Sequence, residues 1–102
     1  MKISELNEAA LDWAVASAEG AVWAVWRFKE RHTDGEMNYS TSWAQGGPII
    51  EQERMELAHD GFVWWARIRA DEDFSGHTPL VAAMRCFVAS KLGDTIEVPE
   101  GL

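Results

Sequence analysis

An α+β fold, with a small antiparallel β-sheet packed against an N-terminal and a C-terminal helix, follows from three observations on the sequence. Segments near the two ends, residues 7–19 and 79–92, carry apolar side chains at helical spacing, and each is followed by a glycine, Gly20 and Gly93. Two inner segments, residues 21–29 and 62–69, alternate with the two-residue period of strands. No repeat, linker or shift in composition divides residues 1–102, which fit one domain.

Taken in order, the first helix places Leu6, Ala10, Trp13 and Ala14 on one side and Leu11, Val15 and Ala18 on another. Glu5, Glu8, Asp12 and Glu19 share one narrow sector. A helix apolar around most of its girth is buried deeply, which in a short chain hints at a homo-oligomer. The first strand, AVWAVWRFK over residues 21–29, presents Val22, Ala24, Trp26 and Phe28 to the core and Trp23, Val25, Arg27 and Lys29 to the other face. Residues 30–35 read as a polar turn. Residues 39–51, YSTSWAQGGPIIE, read as a long loop, because Gly-Gly-Pro breaks helices and strands alike. Pro48 either starts a helical turn, or residues 49–57 form a third strand; the pattern fits both. His59, Asp60 and Gly61 form a tight turn into the strand FVWWARIR, residues 62–69. Its faces are Phe62, Trp64, Ala66 and Ile68 against Val63, Trp65, Arg67 and Arg69. Residues 71–76 form an acidic loop. Thr78 is a good N-cap with Pro79 behind it, and Leu80, Met84, Phe87 and Val88 make an apolar stripe running to Leu92. Residues 96–99 add a short edge strand.

Nine basic residues against seventeen acidic ones give a net charge of −8. A DNA or RNA polymer, whose affinity rests on Lys and Arg contacts to phosphate, is therefore disfavoured as a partner. A small anion in a local pocket is not, because a pocket's field depends on nearby groups. No apolar run approaches the roughly 20 residues of a membrane span, and the start has no signal-peptide character. The lone Cys86 suits a reducing cytoplasm.

The loop over residues 39–51 holds the parts of a small-ligand site. Trp43 offers a stacking face, Tyr39, Ser42 and Gln45 offer hydrogen bonds, and Gly46 and Gly47 leave backbone N–H groups bare. The alternative is a connector whose Trp43 plugs the core. If the two long strands pair antiparallel, tryptophans lie beside arginines on their second face, and Arg67 joins the candidate floor of a site for an anionic aromatic ligand. The same pattern suits a solvent-facing sheet or a subunit interface. Thr78 starts the last helix, and Arg85 lies at the edge of its apolar stripe, where it either reaches a pocket or makes a surface ion pair.

Catalytic chemistry has no positive sign. His32, His59 and His77 are far apart and lack metal-ligand spacing, so neither a metal nor a cofactor is expected. Cys86 sits mid-helix as a small core residue, and Ser40, Ser42 and Ser75 lack a nucleophile elbow.

Three segments together resemble a known family: LDWAVASAEG over residues 11–20, STSWAQGGPIIE over 40–51, and TPLVAAMRCFVASKLGDTIEVPE over 78–100. They are similar to the NinX-type proteins of tailed phages, small accessory proteins from the nin region of lambdoid phages. The resemblance implies a phage or prophage protein acting in the bacterial cytoplasm. It supplies no reaction. Phage accessory proteins of this size commonly counter host defence, some by sequestering nucleotide immune signals in compact oligomers. That analogy makes a non-catalytic sponge for a cyclic-nucleotide or ADP-ribose-like signal the leading expectation. Trp43 would stack a base, Arg67 and Arg85 would face phosphate, and Tyr39, Ser42 and Gln45 would read base or ribose edges. The rival expectations are a protein-interaction factor that modulates a host or phage protein, and a nucleotide-cleaving enzyme.

Overall fold

In the computed structural model, which describes residues 1–20, 28–33, 35–69, 72–99 and 102, four α-helices accompany a three-stranded antiparallel sheet. The expected α+β class is the observed one. A single 3-10 turn, Ile3–Glu5, precedes helix α1, Glu8–Ala18. Gly20 follows at φ +79°, the left-handed conformation that ends a helix at little steric cost to glycine. Ala10, Leu11, Ala14, Val15 and Ala16 are all buried within one chain, so the apolar girth of α1 is covered without a second copy. Asp12 is buried with them at 1% exposure, whereas Glu5, Glu8 and Glu19, which share its sector, are exposed.

The expected strand over residues 21–29 lies mostly outside the described residues. Its last two residues open helix α2, Phe28–Thr33, which also takes most of the expected polar turn. The reason is a side-chain pair at helical spacing. Phe28 is buried and stacks on His32 with ring centroids 5.0 Å apart, an i,i+4 contact that an extended chain cannot make.

The expected loop over residues 39–51 is corrected more fully. Helix α3, Trp43–Glu53, runs straight through Gly46, Gly47 and Pro48. A proline inside a helix costs about 3 kcal/mol and each glycine about 1 kcal/mol against alanine. Packing offsets that cost. Ile49 is 97% buried, Ile50 packs beside it, and Gly46 lets the helix press against the Tyr39 carbonyl and Leu80. A Cβ at Gly46 would lie 2.7 Å from Leu80 Cδ2 and overlap the Tyr39 carbonyl oxygen. Residues 49–57 therefore divide: the first part is helix, and the last two begin strand β1, Glu56–His59.

β1 pairs with β2, Trp64–Arg67, which pairs in turn with β3, Phe74–Gly76, in the order β1-β2-β3. The β1–β2 turn forms where expected, around His59, Asp60 and Gly61. Asp60 Oδ1 accepts the N–H groups of Phe62 and Val63, and Asp60 Oδ2 accepts the Trp65 indole N–H at 2.7 Å. Strand β2 is shorter than the expected 62–69, and Phe62 lies in the turn at 90% exposure instead of on a core face. The expected acidic loop over 71–76 ends as strand, because Phe74 pairs with Ala66 and Gly76 pairs with Trp64. Register places Leu57, Ala66 and Phe74 on the core face and Glu56, Ala58, Trp65 and Arg67 on the other.

Helix α4, Pro79–Leu92, is the central element of the core. Thr78 caps it, its hydroxyl accepting the Val81 N–H at 3.0 Å, and Gly93 follows its end, as the sequence predicts. Every residue from Leu80 to Val88 is buried between the sheet, α1 and α3; only the far end of the stripe, Leu92, reaches solvent. The helix lies so close to β3 that a Cβ on Gly76 would come within 2.6 Å of the Ala82 nitrogen. The C-terminal segment pairs with the start of the chain and not with the sheet: Lys2 bridges Thr95, and Met1 and Ile96 exchange two hydrogen bonds.

Candidate functional site

Two helices begin at one shallow cleft. Trp43 is the first residue of α3, and Thr78, Pro79 and Leu80 form the cap and first turn of α4. With Ser40 and Thr41 they line a cleft of about 230 Å³. Each helix start leaves N–H groups without an acceptor in its own helix, and the aligned peptide dipoles make that end electropositive. Thr78 spends its hydroxyl on one of them, whereas Ser42, the N-cap of α3, makes no side-chain cap. Trp43 stands at the rim with 54% of its surface exposed, an unusual state for so large an apolar ring. Ser40 is 97% buried, and its hydroxyl is without a hydrogen-bond partner. Among the described residues, none of the lining side chains carries a charge.

The loop that delivers Ser40 and Thr41 is fixed from beneath by Asp12. Its Oδ1 accepts the Ser40 N–H at 2.8 Å, and its Oδ2 accepts from His32 Nε2 at 2.9 Å. One buried carboxylate on α1 thus ties both α2 and the cleft loop to the core. Gln45 adds a second tether, accepting the Asn38 N–H and donating to the Gly35 carbonyl at 2.7 Å. Tyr39 packs against the core; its burial, with Glu19 and Asp12 nearby, pushes its hydroxyl above the ordinary phenol range and keeps it neutral.

The sequence-predicted site residues therefore separate. Trp43 and Thr78 meet at the cleft, with Ser42 capping the helix beside it. Gln45 holds the loop, Gly46 permits close packing, and Gly47 lies within α3. Arg67 lies on the outer sheet face, where it forms a two-pronged pair with Asp73 at 2.7 and 3.0 Å. It lines a separate hollow of about 200 Å³ with Glu56, Ala58 and Trp65. Arg85 donates to the Leu6 carbonyl at 3.0 Å, the Ser75 carbonyl at 2.8 Å and Asn7 Oδ1 at 3.1 Å. Its burial lowers its pKa from the ordinary value, yet an arginine stays charged, and these three neutral oxygens solvate it. The guanidinium joins α1, β3 and α4 and is not a lining group of the cleft.

Sequence reasoning missed Ser40, Thr41, Pro79 and Leu80 as lining residues and Asp12 as their anchor. The first four adjoin residues it singled out. Asp12 had a weaker sign: a carboxylate flanked directly by Leu11 and Trp13 in a helix that is apolar around most of its girth. Among the described residues, no group of three His, Cys, Asp or Glu side chains is placed to hold a metal ion. No helix among them is long and apolar enough to cross a membrane.

A family model described as Bacteriophage P22, NinX matches residues 2–91 of the chain. No curated protein matches it.

Proposed function

The chain belongs to the NinX family of bacteriophage P22, and from that premise we propose that it is a non-catalytic binding protein that sequesters a small nucleotide-derived immune signal of the host. The signal is of the cyclic-nucleotide or ADP-ribose-like kind, and the protein acts as an anti-defence sponge in the bacterial cytoplasm. The observation that carries the reading is the cleft where α3 and α4 begin, with half-exposed Trp43 at its rim. Such a site offers an aromatic face for a base and two electropositive helix ends for a phosphate. Stoichiometry tests it. Added protein should deplete free cyclic nucleotide or ADP-ribose up to a plateau near one equivalent per site, and heating should return the ligand intact. Turnover beyond that plateau, with cleaved product, would instead make the protein an enzyme.

A second reading, a factor that binds and modulates a host or phage protein, is favoured by Phe62. That ring stands 90% exposed at the tip of the β1–β2 turn, where an aromatic anchor could enter a partner's pocket. It predicts a partner that co-purifies with the protein and is lost with Phe62→Ala.

A further inference from the structure

We propose that the hollow on the outer face of the sheet, about 200 Å³ in volume, takes the guanidinium of an arginine side chain presented by a polypeptide partner. The site is separate from the cleft and independent of sequestration. It deepens the protein-interaction reading, and rests on it, by stating the chemistry of the partner.

Strand register builds the site. On the outer face the cross-strand pairs Glu56–Arg67 and Ala58–Trp65 stand side by side, two residues apart along each strand. Trp65 has short neighbours, Ala58 on β1 and Ser75 on β3, and its side chain is half-buried. Its indole N–H bond to Asp60 Oδ2, at 2.7 Å, holds the ring in one orientation. Glu56 lies diagonally from Trp65, a separation of roughly 7–8 Å that long and aromatic side chains span. Ala58 fills little of the space between them.

Charge decides the occupant. Arg67 commits Nε and Nη2 to Asp73 at 2.7 and 3.0 Å, so those two charges offset one another. Glu56 is exposed and, among the described residues, makes no ion pair although Arg67 lies opposite it. The Glu56 carboxylate is therefore the unbalanced charge of the described lining, in a chain of net charge −8, and both attract a cation. A guanidinium suits the two groups together: its plane stacks on an indole, and its fork of N–H groups matches a carboxylate. An ammonium ion is a compact, strongly hydrated point charge without that planar match. The volume lies below the roughly 300 Å³ at which drug-sized pockets begin, which fits the end of one side chain.

Phe62 argues for a polypeptide as the source. It stands 90% exposed at the tip of the same hairpin, three residues from Trp65, or roughly 10 Å along a strand. Asp60 fixes both, accepting the Phe62 N–H and the Trp65 indole N–H. A partner chain engages an aromatic anchor and a cation site together, whereas a free guanidinium reaches only the second.

The test titrates isotope-labelled full chain, wild type and Glu56→Gln, with acetyl-Gly-Arg-Gly amide. Its lysine counterpart, its neutral citrulline counterpart and propylguanidine serve as the comparison probes. The Trp65 indole and the Glu56 and Ala58 amides should shift together with the arginine peptide, saturating in the millimolar range. The citrulline peptide should bind about tenfold more weakly. Glu56→Gln should weaken the arginine peptide about threefold to fivefold and leave the melting temperature unchanged, since Glu56 is exposed. Equal binding of the lysine or citrulline peptide, or no effect of Glu56→Gln, would overturn the guanidinium assignment. Tighter binding of propylguanidine than of the arginine peptide would overturn the polypeptide source. No shift with any probe would overturn the site and leave the Phe62 anchor, which co-purification tests, standing.

Discussion

Replacing Asp12 by alanine should unsettle the protein from its core outward. The carboxylate is 1% exposed and accepts two hydrogen bonds, from the Ser40 N–H at 2.8 Å and from His32 Nε2 at 2.9 Å. Hydrogen bonds to a charged group contribute about 1.5–3 kcal/mol each. Since Ser40 is itself buried, its N–H is left without an acceptor. The expected loss for Asp12→Ala is therefore about 3–5 kcal/mol in urea unfolding. For a chain of this length that lowers the melting temperature by about 12 °C or more. Asp12→Asn keeps an oxygen for the Ser40 N–H but gives up the charge, and should cost about 1–2 kcal/mol. A double-mutant cycle with His32→Ala should show coupling of about 1 kcal/mol or more, because both changes remove the same contact. If Asp12→Ala unfolded within 1 kcal/mol of wild type, or the cycle were additive, Asp12 would not be the tie that fixes the cleft loop.

The adjacent glycines of α3 should respond with opposite signs. Gly46→Ala drives a Cβ into the Tyr39 carbonyl and should destabilise by about 1–3 kcal/mol, whereas Gly47→Ala meets only the Trp43 ring at 3.8 Å and should stabilise by about 0.5–1 kcal/mol; thermal melts of both variants decide. Arg85→Met strands three acceptors on two other elements and should cost roughly 3 kcal/mol in urea unfolding, and a near-neutral result would contradict its role as an internal tie. The Trp65 indole and the Val63 and Phe62 N–H groups hold the Asp60 carboxyl down at about 2, below its ordinary 3.8. Its stabilisation of the turn is thus fully present above 3.8 and lost as the pH falls through about 2. The Trp65 indole proton resonance should titrate with a midpoint near 2, and one near 3.8 would refute the bonding.

The terminal helices were legible because their signals are local: apolar spacing, a threonine–proline start and closing glycines all lie within a few residues of the elements they define. The β1–β2 turn was legible for the same reason, since Asp60 and Gly61 act on their own neighbours. What could not be read was decided at long range. Gly46, Gly47 and Pro48 argue against a helix locally, and only the contact with Tyr39 and Leu80 shows why glycine is needed inside one. Arg85 looked available to an anion because its acceptors lie 10, 78 and 79 residues away. Of the candidate site, the run around Trp43 and the start of the last helix were singled out from sequence as two places. Their meeting in one cleft is a property of how α3 packs against α4.

That meeting is the claim on which the rest depends, and backbone amide and indole resonances report on it directly. Titration of isotope-labelled protein with 3′,3′-cyclic di-AMP should move the Ser40, Thr41 and Leu80 amides and the Trp43 indole together, saturating along one binding curve. Shifts confined to Trp65 and Arg67 on the outer sheet face, or none at saturating nucleotide, would contradict the assignment of the cleft as the ligand site.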